Sequence, residues 1–209
     1  MRAEIHLTHP QPRLITMACD TLRDDGVIVY PTDSCYGFGC ALGSQSAVQR
    51  IRAIRRMSKQ HFLTLICRDL SELSSFARVD KAGYRLIKSL TPGPYTFILQ
   101  ATHGVPRRLQ EPKRKTIGLR IPDSAISNAL VRTLETPMLS TTVEDAYTGA
   151  VLSDPHDIDG GFGTRIDMLL DGGEGGVVPT TVIDLSSGDP VLVRPGLGKV
   201  DHLLNPDRS

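Results

Sequence analysis

Apolar positions along the chain fall into two periods, and the switches between them mark out the elements. Leu14, Ile15, Ala18 and Leu22 recur at helical spacing with Gly26 just beyond, which predicts a helix from about Pro12 to Asp25. The β-branched run Val27 to Tyr30 reads as a buried strand that Pro31 ends, because proline has no N–H for a sheet ladder. Val48, Ile51 and Ile54 give a second helix its apolar stripe, with Ser44 or Ser46 as its cap. Leu63 to Cys67 predicts a strand. Asp69, with Glu72 three residues on, predicts a short capped helix running to Phe76. Asp80 opens another, with Tyr84, Ile87 and Leu90 on its buried side and Pro92-Gly93-Pro94 at its end.

Strands are further predicted at Tyr95 to Gln100, Thr116 to Ile121, Met138 to Thr142, Ile166 to Leu170, Thr181 to Leu185 and Val191 to Arg194. A helix capped by Asp123 or Ser124 carries Ile126, Leu130 and Leu134 on one side. Val143 to Thr164 is polar, glycine-bearing and without period, the pattern of a functional or mobile loop such as a lid. Gly172, Gly173, Gly175 and Gly176 are expected to loosen the connection after it. Helices and strands alternate early and strands crowd later, so the fold class is α/β, a mixed twisted sheet with flanking helices.

Composition bounds this picture. A chain of 209 residues with 40% hydrophobic and 22% charged residues is a globular protein of one domain, residues 1–209 with a core of about 12–204. The net charge of +1 selects no partner, but its distribution is uneven. Arg50, Arg52, Arg55, Arg56, Lys59 and Arg68 follow one another without an acid, and Arg107, Arg108, Lys113, Arg114 and Lys115 form a second group. From Glu144 to Glu174 the balance is acidic. A basic face for phosphate or RNA is one meaning of such runs, and solvated helix surface is the commoner one. Cys19, Cys35, Cys40 and Cys67 contain no Cys-x-x-Cys pair, favouring reduced thiols over disulfides or zinc. With no apolar leader and no long apolar run, the expected location is the cytoplasm, with no membrane partner.

The densest chemistry lies in Gly26-Val-Ile-Val-Tyr-Pro-Thr-Asp-Ser-Cys-Tyr-Gly-Phe-Gly39. Thr32, Asp33, Ser34 and Tyr36 supply hydroxyls and a carboxylate at a strand end, where α/β sheets usually bind ligands, and Gly37 and Gly39 are expected to let backbone approach a ligand. An ordinary polar loop is an equally ready reading of those residue types. No Walker A, Gly-x-Gly-x-x-Gly, His-Glu-x-x-His or Gly-x-Ser-x-Gly motif is present. Hydroxyls and arginines at predicted strand ends, among them Thr116, Ser140, Thr142, Thr180, Thr181, Arg120 and Arg194, make a set suited to anions, since arginine grips carboxylate or phosphate with a fork of donors.

Pro31-Thr-Asp-Ser-Cys-Tyr-Gly37 resembles the Pro-Thr-(Asp/Glu)-Thr-x-Tyr-Gly signature of the YrdC superfamily, which includes threonylcarbamoyl-AMP synthases. Thr91-Pro-Gly-Pro-Tyr-Thr-Phe-Ile-Leu99, Gly118-Leu-Arg-Ile-Pro122, Ser140-Thr-Thr142, Pro179-Thr-Thr-Val-Ile-Asp184 and Arg194-Pro-Gly196 are similar to its other blocks, in its order. Cys67-Arg-Asp-Leu-Ser-Glu-Leu73 and Glu111-Pro-Lys-Arg-Lys-Thr-Ile-Gly-Leu-Arg120 resemble the YciO branch in particular.

The resemblance implies a YrdC-like domain acting on a threonylcarbamoyl or adenylate group in tRNA threonylcarbamoyladenosine metabolism, with L-threonine, ATP and, if synthase-like, Mg2+. By the same carry-over Thr32, Ser34, Tyr36, Arg120, Ser140 and Thr180 would hold the amino acid, and Arg55, His61, Thr116, Thr142, Thr181 and Arg194 the nucleotide. No catalytic residue or protein metal ligand is assigned. Two departures stand out: the synthases' Lys-x-Arg and Ser-x-Asn read here Arg55-Arg-Met57 and Thr142-Val-Glu144, which puts a carboxylate where phosphates would sit. The alternative is a tRNA or double-stranded RNA-binding module without nucleotide chemistry, using Arg50, Arg52, Arg56 and Lys113. No DNA partner is expected.

Overall fold

The computed structural model describes residues 1–58 and 62–200. In chain order the elements are β1 (Arg2–Glu4), α1 (Pro12–Arg23), β2 (Ile28–Tyr30), β3 (Gly37–Ala41), α2 (Gln45–Ile54), β4 (Thr64–Ile66), α3 (Leu70–Phe76), β5 (Ala77–Arg78), α4 (Lys81–Leu90), β6 (Tyr95–Ala101), β7 (Thr116–Arg120), α5 (Ala125–Leu134), β8 (Met138–Thr142), α6 (Pro155–Phe162), β9 (Met168–Asp171), β10 (Thr181–Asp184) and β11 (Val191–Arg194). A short 3-10 turn, Arg107–Leu109, precedes β7. The strands form one mixed sheet in the order β1-β9-β2-β3-β8-β4-β7-β6-β10-β11, with β5 against β6. The sheet starts at Arg2, ahead of the core boundary expected near residue 12.

Period-two alternation assigns every strand two faces. Val29, Phe38, Leu65, Phe97, Leu119, Leu139, Leu169 and Ile183 point to one apolar core, which α2, α3, α4 and α6 cover through residues such as Ile51, Leu73, Ile87 and Phe162. Ile28, Tyr30, Ile66, Met138, Met168 and Leu170 point to the other, covered by α1 and α5 through Ile15, Leu22, Ile126 and Leu130. Ser44, Asp69, Asp80 and Ser124 each accept a backbone N–H as helix caps. At α3 Glu72 N donates to Asp69 at 2.8 Å, and the Glu72 carboxylate accepts from Arg68 N, one residue before the cap, at 2.7 Å.

Three expectations need correction. Residues 143–164 include a helix, α6, capped by Asp154 and begun by Pro155; its Gly160-Gly161 pair hides the helical period, while Ile158 and Phe162 at i and i+4 supply its buried side. Gly37 and Gly39 lie within β3, where a Cβ would meet Ser140 Oγ at 2.9 Å or the Tyr30 ring at 3.1 Å; the smallness of Gly39 serves strand packing, while Gly37 also lines the cavity described below. Tyr84, expected in the core, is 41% exposed.

Candidate functional site

The same alternation builds a cavity. α1 and α5 cover their face of the sheet over β9 and β2 and as far as Met138 of β8 and Ile66 of β4; beyond these, the residues on that face across β8, β4, β7, β6 and β10 are mostly polar or small. Ser140, Thr142, Thr64, Thr116, Gly118, Arg120, Thr96 and Thr180 line a cavity of about 410 Å³ with Ile66, Ile98 and Val182. Sequence neighbours Leu65, Leu119 and Phe97 serve the opposite core. The site therefore spans the sheet face between the expected strand ends, from the loop after β2 and from Arg120, Thr142 and Thr180 inward to Thr64, Thr96 and Gly118. Thr32, Ser34, Tyr36, Arg120, Ser140 and Thr180 all border this one cavity, as do Thr116, Thr142 and Arg194.

One end is shaped by the loop between β2 and β3. Thr32 Oγ accepts from the N–H groups of Ser34 and Cys35 at 3.1 and 3.3 Å and donates to the Cys35 carbonyl at 2.7 Å, so this hydroxyl fixes the loop. Asp33 forms an ion pair with Arg120, side chains 9% and 8% exposed, and accepts from Asp123 N at 3.0 Å. Arg120 Nη2 also donates to Ser34 Oγ at 3.1 Å, while its Nε is buried with no hydrogen-bond partner among the described residues. Burial lowers the Arg120 pKa and Asp33 opposes that pull; the guanidinium stays charged at neutral pH.

Tyr36 donates to the Gly173 carbonyl at 2.7 Å and accepts from Gly172 N at 3.0 Å. Burial raises its hydroxyl to about 12 despite the Gly172 bond. A Cβ on Gly175 would sit 2.7 Å from the Tyr36 ring, and one on Gly176 would sit 1.9 Å from the Ser34 carbonyl oxygen. The glycine-rich segment thus clamps the loop instead of loosening the chain. Ser140 Oγ accepts from Tyr30 at 2.9 Å, and the Thr96 and Thr180 hydroxyls lie 2.8 Å apart.

At the other end Thr142, Thr116 and Glu144 line the cavity. Arg194 donates to the Thr180 carbonyl at 2.9 Å. Arg55 does not line the cavity: its 5% exposed side chain is paired with Glu144 at 2.7 Å. Thr181 does not line it either; alternation turns it to the opposite face from Thr180, where it donates to the Gly198 carbonyl at 2.6 Å. His61 lies outside the described residues.

The four residues considered for RNA are placed as follows. Arg50 is paired with Asp167, Arg52 donates to the Ser58 carbonyl at 3.4 Å, Arg56 packs on Tyr147, and Lys113 is exposed ahead of β7. Two of the acids between Glu144 and Glu174 thus act as counter-ions to α2.

Sequence reasoning passed over Thr64, Thr96 and Arg114 as cavity residues. Arg114 reaches Asp184 at 2.7 Å and Ser186 while bordering the cavity. The signal for the sheet residues was available in Thr116-Ile-Gly-Leu-Arg120, a strict alternation of polar or small with apolar. The Asp33–Arg120 and Arg55–Glu144 pairs, formed between distant segments, had no such signal.

A family model for Sua5, YciO and YrdC proteins, described as telomere recombination, matches residues 20–196. The chain is 48% identical over 200 residues to the YciO protein of Escherichia coli strain K12, covering 96% of this chain and 97% of that one. The crystal structure of E. coli YciO superposes with a TM-score of 0.93 at 47% identity, over 96% of this chain and 98% of that chain. A threonylcarbamoyl-AMP synthase of Chromobacterium violaceum is 36% identical over 138 residues, 66% of this chain and 71% of the synthase. Pyrococcus abyssi Sua5, solved in complex with L-threonine, matches with a TM-score of 0.86 at 26% identity, over 94% of this chain and 57% of that one. By sequence and by fold the chain belongs to the Sua5/YciO/YrdC family.

Proposed function

We propose that the protein acts on a threonylcarbamoyl or adenylate group in tRNA threonylcarbamoyladenosine metabolism, with the amino-acid part at the Arg120 end of the cavity and the nucleotide part at the Thr116 and Thr142 end. The observation that carries this reading is the single cavity bordered by Ser34, Arg120, Ser140, Thr180, Thr116, Thr142 and Arg194. Arg120 has a buried Nε left over after its bonds to Asp33 and Ser34, a donor suited to the carboxylate of L-threonine. The Pyrococcus abyssi relative solved with L-threonine supports that amino acid as the ligand.

Chemistry of this class depends on positioning: the carbamate must be held in line with an α-phosphate, and charge on the leaving group must be met by cations. ATP and its Mg2+ fit the other end less well. Arg55 is held by Glu144 and Arg114 by Asp184, so neither cation is free for phosphates as it stands, and Mg2+ would be carried chiefly by the phosphates of ATP, as is usual for that ion.

The test is calorimetry with L-threonine and ATP beside a mass-spectrometric assay for threonylcarbamoyl-AMP formed or consumed. L-threonine should bind, and Arg120→Lys should weaken it about tenfold or more, because a point charge replaces a fork. Absence of L-threonine binding would sink the assignment.

Contact with RNA through Arg50, Arg52, Arg56 and Lys113 belongs to the same proposal, the carrier of the group being a tRNA. Because Arg50 is already paired with Asp167, phosphate contact there would have to displace that carboxylate, whereas Arg56 spends one N–H on the Tyr147 hydroxyl and has further donors for phosphate. Neutralising the four should flatten the salt dependence of RNA binding; an unchanged slope would remove this face from the proposal. A cytoplasmic location fits the four free, buried cysteines, and no helix among the described residues is long and apolar enough to cross a membrane.

A further inference from the structure

We propose that Tyr147, backed by Arg56, is a stacking platform for a nucleobase of the ligand whose amino-acid part occupies the cavity, an inference that rests on the function proposed above. Tyr147 is 79% exposed, the highest value among the exposed large hydrophobic side chains. The Arg56 guanidinium lies 4.1 Å from its ring centroid and donates to its hydroxyl at 2.6 Å. One ring face is therefore covered by a cation and the other is open to solvent.

The turn that carries the ring is itself fixed. Asp145 Oδ1 accepts from Tyr147 N at 3.0 Å and from the backbone and hydroxyl of Thr148 at 2.7 and 2.9 Å. Asp145 N bonds to the Ala150 carbonyl at 2.8 Å, and Glu144 bridges to Val151. The tip is a closed hairpin whose base, Glu144, borders the nucleotide end of the cavity. Three residues of chain span at most about 10 Å, so the Tyr147 backbone lies within that distance of Glu144 at the nucleotide end of the cavity.

An aromatic face with a guanidinium behind it is the general solution for holding a base by its π-surface. The shared chemistry is a nucleobase, from a free nucleotide or from an unstacked residue of RNA, where aromatic side chains commonly receive bases.

The experiment uses the full chain and two probes: 2-aminopurine riboside 5′-monophosphate and a short single-stranded oligoribonucleotide carrying one 2-aminopurine. Binding is followed by quenching of the probe. The unsubstituted protein should quench. Tyr147→Ala should weaken binding about tenfold, as expected for one base on one aromatic ring, and should remove the quench. Tyr147→Phe, which keeps the ring, should retain both. A loss confined to the monophosphate identifies a free nucleotide, and one confined to the oligoribonucleotide identifies an RNA base; each supports the platform. Equal binding and quenching by Tyr147→Ala overturns it, as does failure of the unsubstituted protein to bind either probe. L-threonine calorimetry on the unsubstituted protein reports separately on the cavity, so the two readings fail by different measurements.

Discussion

Replacing Glu144 by Gln keeps the shape of the side chain and removes the counter-ion of Arg55. The two side chains are 5% and 23% exposed and 2.7 Å apart. Stripping one partner from a buried pair costs about 3–5 kcal/mol because the other charge is left uncompensated. Glu144 keeps some contact with water, which places the cost nearer about 2–3 kcal/mol. For a domain of this size that is a fall in Tm of about 4–12 °C. The second half of the expectation is its reversal. With the carboxylate gone, Arg55 becomes available to phosphate, and pyrophosphate at a hundredfold over its Kd would return about 2.7 kcal/mol. Differential scanning calorimetry with and without pyrophosphate should therefore show a large loss and its recovery in Glu144→Gln, and little response in the parent. A variant that melts with the parent, or a parent stabilised by pyrophosphate to the same extent, would refute the idea that Glu144 occupies the arginine that phosphates would use. Adding Met57→Arg to Glu144→Asn supplies a second cationic fork and should raise ATP affinity, but less than the gain in charge alone suggests, because Met57 packs against the apolar core and a guanidinium there is costly to desolvate.

Gly176→Ala should destabilise the protein and abolish L-threonine binding together, since a Cβ at that position overlaps the Ser34 carbonyl at 1.9 Å and pushes the signature loop away; calorimetry showing parental affinity would refute the clamp. Asp33→Asn should cost about 3 kcal/mol in a urea titration, as it leaves the buried Arg120 without its counter-charge, and a loss below about 1 kcal/mol would mean that Ser34 suffices. Burial raises the Cys35 thiol to about 11 and the Cys40 thiol to about 12, against an unperturbed value of about 9. A raised folded-state pKa means that the neutral thiol's stabilising contribution is complete below pH 9 and is lost as pH climbs through 11, so stability should fall in that alkaline window. Denaturation curves flat from pH 8 to 11, or rapid native-state alkylation of all four cysteines at pH 8, would contradict it.

The elements were legible where one residue decides them locally. Pro31 ends β2, Asp69 with Glu72 caps α3, and Ser124 caps α5, each through a bond within a few residues. They were illegible where the deciding contact is distant. β1 is three residues whose only reason to be a strand is pairing with β9, far along the chain. The Gly172 to Gly176 segment reads as slack in isolation and becomes a clamp because Tyr36 and the Ser34 carbonyl leave no room for a Cβ. The basic α2 and the acidic stretch after β8 look like two surfaces with external partners until Arg50 meets Asp167 and Arg55 meets Glu144.

The location of the site turns on the same distinction. Sequence reasoning collected the right kind of residues and placed them at strand ends because that is where open α/β sheets commonly bind ligands. The strands' own pattern extends the site from those ends across the sheet face. In Thr116-Ile-Gly-Leu-Arg120 the apolar members sit at alternate positions, so one face of β7 belongs to the core and the other holds a hydroxyl, a glycine and a guanidinium. A helix laid over that second face would leave Arg120 and the hydroxyls of Thr116, Thr64 and Thr96 facing apolar side chains, at a cost of about 1–3 kcal/mol for each polar group left unpaired. α1 and α5 stop where Ile66 and Met138 stop. The polar half of the sheet thus dictates both the absence of a covering helix and the presence of a cavity, and it predicts that Thr64→Val, which makes that floor more apolar, should stabilise the fold while weakening any anionic ligand, whereas Thr96→Val should destabilise it by about 1–3 kcal/mol because the buried Thr180 hydroxyl loses its partner. A titration in which Thr64→Val destabilises the protein would mean that this hydroxyl is needed by the fold itself.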